Sequence, residues 1–287
     1  MHIPSCLAAF ILIAQLCVLP SAVVAADPAL ATGWASAENS RVRLVGGRAD
    51  GPGAAPRLVA GLEIEIADGW KTYWRNPGSS GVPPRIDWSK SVNLASARVL
   101  FPAPARFVDR DGDTIGYKGY VVFPIELVAK DAAKPVELEL SVEYGICKDI
   151  CIPVELNLAL SVPPGAAPIQ VESRLARALR RVPRPVSARA AADPAVTSIK
   201  QELTGEKPRI VIAASFPAGT NGADLFAEAP DGLWVPLPKK TGAASGNALV
   251  FEIDLTDGAD IAELKGKTLR LTLVSNDGQS ETAFKIE

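Results

Sequence analysis

The segment VELELSVEYGICKDICIPVELNLALSV, residues 136–162, restricts the fold of this chain more than any other. Apolar side chains fill the even positions Val136, Leu138, Leu140, Val142, Tyr144 and Ile146, and polar ones fill the odd positions Glu137, Glu139, Ser141 and Glu143. The same alternation resumes at Ile152, Val154, Leu156, Leu158 and Leu160, against Glu155, Asn157 and Ser161. A period of two predicts two half-buried strands. With Lys148, Asp149 and Ile150 as a three-residue loop, Cys147 faces Cys151, Ile146 faces Ile152, Tyr144 faces Val154 and Val142 faces Leu156. Every apolar residue then meets an apolar partner, so the register is self-consistent. Both cysteines are odd-numbered and belong to the face opposite the hydrophobic one, at the hairpin tip. Directly opposed strand residues lie about 4.5 to 5.5 Å apart at Cα, a span that a disulfide bridges.

Further β-rich runs, among them RVRLV (41–45), LVAGLEIEI (58–66) and VVFPIELVA (121–129), are separated by Gly, Pro and Asp-Gly signals. The chain holds 23 glycines and 24 prolines, many in clusters such as NPGSSGVPP (76–84), which predicts frequent turns and few long helices. The pattern is that of antiparallel sandwiches. It breaks at VPPGAAP (162–168), and the following QVESRLARALRRVPRP has helical character up to Pro183, with Leu175 and Leu179 four apart. Strand signals return in RIVIAASF (209–216), ALVFEIDL (248–255) and TLRLTLVS (268–275). The expected fold is all-β, two immunoglobulin-like antiparallel sandwiches joined by a short helical linker. The first occupies 27–165, the basic linker 166–195 and the second sandwich 196–287. The six arginines from Arg174 to Arg189 are read as a solvated helix face.

The first 26 residues read as a secretory signal peptide: an apolar stretch from Leu7 to Leu19, small residues at Val24 and Ala26, and the first acidic residue at Asp27. The apolar core is shorter than the roughly 20 residues of a membrane span, and no later stretch is long and apolar enough to cross a bilayer. Removal of the leader takes away Cys6, Cys17, the only His and the only Met. Ser-His-Asp hydrolysis, Cys-His nucleophiles and imidazole-bearing metal sites are thereby excluded from the mature chain. Two thiolates lack the further ligands of a closed zinc site, so neither a metal nor a cofactor is expected. The DRDGD run at 109–113 has its glycine misplaced for a calcium loop and reads as a polar turn. Trp70, Tyr73, Trp74 and Trp88 are assigned to core packing. A net charge of −2 makes nucleic acid an unexpected partner.

Thiol chemistry remains. In an oxidising compartment the two cysteines tend to pair, either as a redox-active couple or as a hairpin staple. A five-residue ring constrains the unfolded chain by only about 2 kcal/mol, against about 3 for a fifteen-residue loop. A β-hairpin carries no helix N-terminus to activate a thiol, so the pair suits attack by a partner's thiolate better than attack on a partner.

Three stretches then resemble a known family: GWKTYWRNPGSSGVPPRIDW (69–88), IGYKGYVVFPIEL (115–127) and YGICKDICIP (144–153). They are similar to the N-terminal periplasmic domain of DsbD-type thiol:disulfide interchange proteins, including the ScsB proteins. The resemblance implies an immunoglobulin-type sandwich whose cysteines shuttle between disulfide and dithiol. Electrons would come from a thioredoxin-like or membrane-bound donor and pass to disulfide-bearing periplasmic substrates. By position, Cys151 matches the cysteine that forms the mixed disulfide and Cys147 the resolving one. The segment from Asp109 to Tyr120 falls where the family carries an aromatic cap, with Tyr117 and Tyr120 as its shielding residues. Family members continue into a membrane electron transporter and a thioredoxin-like domain, so a donor on a separate protein is expected here. The competing expectation is a non-catalytic two-domain adaptor with a structural disulfide.

Overall fold

The structure, a computed structural model, describes residues 30–287 apart from 52–53, 110–111 and 244–245. The expected signal peptide lies outside the described residues, as does the centre of the DRDGD turn. The first part of the chain forms β1 (Ala35–Ala37), β2 (Ser40–Gly51), β3 (Ala54–Ile66), β4 (Lys71–Gly78), β5 (Arg85–Asp87) and β6 (Leu94–Val99). It continues with β7 (Ala105–Phe107), β8 (Thr114–Lys118), β9 (Tyr120–Ala129), β10 (Val136–Cys147) and β11 (Cys151–Val162). These strands make two sheets, one ordered β1-β2-β3-β9-β6 and the other β11-β10-β4-β8-β7, with β5 paired to β10. The even-numbered residues of β10 and β11 point into the space between the sheets, where Trp74, Phe123, Tyr144, Leu62 and Ile125 are fully buried.

A short helix α1 (Arg174–Arg180) follows, capped by the Ser173 hydroxyl, which accepts from the Ala176 N–H. Its Leu175 and Ala178 are buried against Val59 and Val122 on the outer face of the first sheet. That approach requires Gly61, because a Cβ there would stand 2.9 Å from both Leu175 Cδ1 and Val122 Cγ1. Arg177, Arg180 and Arg189 are exposed, as a solvated face requires, whereas the other three arginines are engaged within the chain. Arg174 pairs with Glu63 and Glu65, Arg184 with the buried Asp193, and the Arg181 guanidinium donates to the Ser275 and Asn276 carbonyls. Glu63 and Glu65 stand 111 and 109 residues from Arg174, a separation that periodicity cannot reveal.

The second part comprises β12 (Arg184–Pro185), β13 (Ala195–Glu202), β14 (Arg209–Ser215), β15 (Asp224–Glu228), β16 (Lys239–Ala243) and β17 (Ala248–Asp254). A single helical turn, α2 (Ile261–Leu264), leads into β18 (Thr268–Val274) and β19 (Gln279–Lys285). The sheets are ordered β12-β19-β18-β15 and β13-β14-β17-β16, around a core that includes Ile210, Phe216, Phe251 and Leu271. β12 runs parallel to β19, so the chain enters this sheet within the stretch read as linker. The chain is all-β, its two sheet pairs antiparallel apart from that one pairing, and this is the expected fold class.

The two sandwiches meet along β4 and β7. Arg75 donates bidentately to Glu228, at 2.9 and 2.7 Å, and to Glu281 at 2.6 Å. Arg106 reaches both carboxylate oxygens of Asp224, at 2.8 and 2.9 Å. Trp74 packs its ring 5.6 Å from that of Phe226, and Phe226, Leu237 and Val274 complete the first core from the second sandwich. β4 is therefore the strand that carries the interface. It also leads to the cysteines.

Candidate functional site

The β10–β11 hairpin has the register that the alternation predicts: Cys147 opposite Cys151, Ile146 opposite Ile152, Tyr144 opposite Val154 and Val142 opposite Leu156. Cys147 and Cys151 form a disulfide with their Cα atoms 4.2 Å apart. The two sulfurs are nevertheless unequal. β10 is an inner strand and meets β4 where Cys147 pairs with Lys71, so Cys147 is only 2 % exposed. β11 is the edge strand, and Cys151 is exposed on it. Of the two cysteines, Cys151 is the one open to solvent.

Residues paired across a ladder share a face of the sheet, so Cys147, Lys71 and Lys118 project together. Tyr73, two residues along β4, projects with them. The Tyr73 hydroxyl lies 3.3 Å from Cys151 Sγ, and since a disulfide sulfur has no proton, the O–H donates. Burial, with the Asp109 charge nearby, holds the Tyr73 phenol above its ordinary value and keeps that proton in place. Its ring is covered by the turn after β4. Gly81 sits there at φ +135°, a Cβ on it would enter the Tyr73 ring, and Val82 next to it lies over Gly145.

Lys71 is nearly buried; its ammonium pairs with Asp109 and donates to Thr114 Oγ1 at 2.9 Å, while the Thr114 hydroxyl donates to Asp109 at 2.6 Å. Burial pushes the Asp109 carboxyl up, but the bonds from Lys71 and Thr114 outweigh it and hold the group below the usual carboxylate range. A carboxyl whose folded value is depressed contributes stability above the ordinary carboxylate value and loses it as pH falls through the folded one. Thermal melts should therefore drop on acidification below about pH 4, and Asp109→Asn should flatten that limb of the profile.

Tyr117 and Tyr120 do not stand where the cap reading put them. Tyr117 pairs with Thr72, which turns it to the face opposite the disulfide. It is buried there, its hydroxyl donates to the Pro102 carbonyl at 2.8 Å, and its ring meets Phe123 edge-on at 5.4 Å. Tyr120 is half exposed at the start of β9, beneath the Arg174 guanidinium. The aromatic at the sulfurs is Tyr73, which sequence reasoning placed in the core; the available signal was its parity with Lys71 on β4. Trp74 is core as expected. Among the described residues no cluster of three or more His, Cys, Asp or Glu is arranged to hold a metal.

The comparisons with known proteins bear on the same hairpin. Residues 55–163 match the family model described as "Thiol:disulfide interchange protein DsbD, N-terminal". The matched stretch runs from β3 to the end of β11 and includes both cysteines. Residues 181–287 match a second model, described as a domain of unknown function (DUF8393). A comparison with the curated proteins gave no match. Among solved structures, the N-terminal periplasmic domain of ScsB from Proteus mirabilis superposes with a TM-score of 0.67 at 22 % identity, over 90 % of this chain and 98 % of that one. This shows that the fold is shared across both sandwiches of the chain. No described helix is long and apolar enough to cross a membrane.

One smaller effect follows from the Tyr73 contact. Tyr73→Phe removes the hydroxyl that donates to Cys151 Sγ, and would slow the release of Cys151 from any mixed disulfide formed there. A hydrogen bond of about 1 kcal/mol corresponds to a release about fivefold slower, measurable by stopped-flow fluorescence.

Proposed function

We propose that this protein is an exported thiol:disulfide exchange module acting through Cys147 and Cys151. A thiolate of a thioredoxin-like donor attacks Cys151 Sγ; the Cys147–Cys151 bond breaks and its electron pair leaves on Cys147. The donor's second thiol then displaces Cys151, so the donor becomes a disulfide and this protein a dithiol. The dithiol passes the two electrons to the disulfide of a periplasmic protein and closes again. No metal or cofactor takes part. The exchange chemistry is assigned to residues 27–165, the joining segment to 166–195, and a bracing role to 196–287, whose Glu228, Asp224 and Phe226 grip β4 and β7 beside the site.

The observation that carries this reading is the unequal burial of the two sulfurs on one hairpin: the first is sealed by β4 and the second stands open on an edge strand. A staple gains nothing from that asymmetry, whereas a relay uses it to choose which sulfur is attacked. The match of residues 55–163 to the DsbD N-terminal model supports the same reaction class. The test is to equilibrate the mature protein with thiol redox buffers, alkylate the free thiols and derive the reduction potential. A potential above about −300 mV, with reduction by a thioredoxin-type dithiol, is expected. A lower potential with no exchange would leave a structural disulfide in a two-domain binding protein.

A further inference from the structure

We propose that the free edge of β11 receives an extended segment of the partner protein as an added strand, which brings the partner's cysteine to Cys151. The inference rests on the reading of Cys151 as the attacked sulfur, and goes beyond it to say how the partner docks.

The backbone of β11 points alternately toward β10 and away from it, and three observations agree on which residues point away. The Cys147–Cys151 pair has Cα atoms 4.2 Å apart, the narrow spacing of an antiparallel pair that exchanges no backbone hydrogen bonds. Glu137, opposite Ser161, spends its N–H and C=O on Val92, and the Glu139 groups go to the Ser91 hydroxyl; both bonds lie on the side away from β11. Pro153 follows the same parity and has no N–H to lose, which is where a sheet tolerates proline. The odd residues of β11 thus aim their backbone groups outward. Among the described residues, the N–H and C=O groups of Glu155, Asn157, Ala159 and Ser161 have no partner.

The other sheet edges are protected. β1, β7 and β12 have only two or three residues each. β6, β13 and β16 carry register shifts, and the backbone of β15 is met by Asn76 and Arg106 of the first sandwich. β11 alone runs 12 residues in unbroken register, with one charged side chain, Glu155. A long, flat, weakly charged edge is what proteins ordinarily remove unless another chain pairs with it. Cys151 is the first residue of this edge, so a strand paired at 155–161 places the residues beyond its end at the exposed sulfur.

The experiment compares two reductants on the full mature chain, dithiothreitol and a reduced thioredoxin as the protein probe. Asn157→Pro and Ala159→Pro remove an outward N–H and fill the edge without breaking a bond to β10; Asn157→Ala keeps the edge intact. Both proline variants should react with thioredoxin about tenfold more slowly while keeping the wild-type rate with dithiothreitol, and the alanine variant should match wild type with both. Proline variants as fast as wild type with thioredoxin would overturn the docking and leave the exchange reading untouched. A wild-type disulfide inert to both reductants would overturn the exchange reading, and the docking with it. Should the proline variants fail to fold, amide hydrogen exchange on the Cys147→Ser mixed disulfide with thioredoxin decides the matter. Protection gained at Glu155, Asn157, Ala159 and Ser161 supports strand addition, and unchanged exchange at those amides overturns it.

Discussion

Cys151 in the Cys147→Ser variant should react with a disulfide reagent about a hundredfold faster than Cys147 in the Cys151→Ser variant. Produced from residue 27 onward, each variant retains one thiol, so the comparison isolates position from chemistry. Cys147 is 2 % exposed beneath the β4 contact, and a reagent reaches it only when the strands part locally. A hundredfold penalty corresponds to a local opening of about 2.7 kcal/mol, well within the range that native proteins sample. Cys151 needs no opening, because it stands on the edge strand at the hairpin tip. Stopped-flow titration with an aromatic disulfide measures both rates. The same pair of variants, challenged with an activated thioredoxin-type partner, should trap a mixed disulfide only through Cys151. Equal rates for the two thiols would remove the basis for naming Cys151 as the attacked sulfur.

Trp74→Ala should destabilise the protein by about 3 to 5 kcal/mol, the cost of emptying a large aromatic site in a packed core. Trp74 is fully buried in the first core, its ring meets Phe226 of the second sandwich, and the Arg75 guanidinium lies 4.5 Å from its centroid. The substitution removes packing on both sides at once and loosens the strand that holds Tyr73 against Cys151. Urea unfolding followed by circular dichroism reads the loss as a lower midpoint at an unchanged slope. Trp234→Ala is the control: Trp234 is 41 % exposed, and its loss should cost far less. A Trp74→Ala midpoint no lower than that of Trp234→Ala would mean that the contact between the sandwiches contributes little to stability.

Three of the five side chains that make up the site, Lys71, Tyr73 and Asp109 beside the two cysteines, are brought to the hairpin by β4 and the segment after β7, not by the hairpin itself. Lys71 and Tyr73 precede Cys147 by more than seventy residues, and Asp109 follows a different strand. The aromatic-rich stretch 69–76 and the polar run at 109–113 were both visible in the sequence, but their meeting depends on β4 lying between β10 and β8, an order that neighbouring segments do not encode. The cap assignment to Tyr117 failed for the same reason. Read as a loop, the segment has no face; once Thr114–Lys118 is a strand paired to β4, parity turns Tyr117 inward and leaves Tyr73 as the aromatic beside Cys151. Arg174 of α1 shows the limit again, since its partners Glu63 and Glu65 come from the sheet beneath.

The sequence by itself determined the hairpin register, the pairing of Cys147 with Cys151 and the face on which both lie. A strict period of two between half-buried strands permits one register, because a slip of a single residue would turn every apolar side chain to solvent. It also pointed to thiol chemistry for residues 27–287, which hold two cysteines and no histidine or methionine. Tertiary structure decided the rest. By seating β4 against one side of β10 and leaving the far edge of β11 open, it buried one sulfur and exposed the other, because the neighbours that desolvate a strand are chosen by the order of strands in the sheet and not by the strand's own residues.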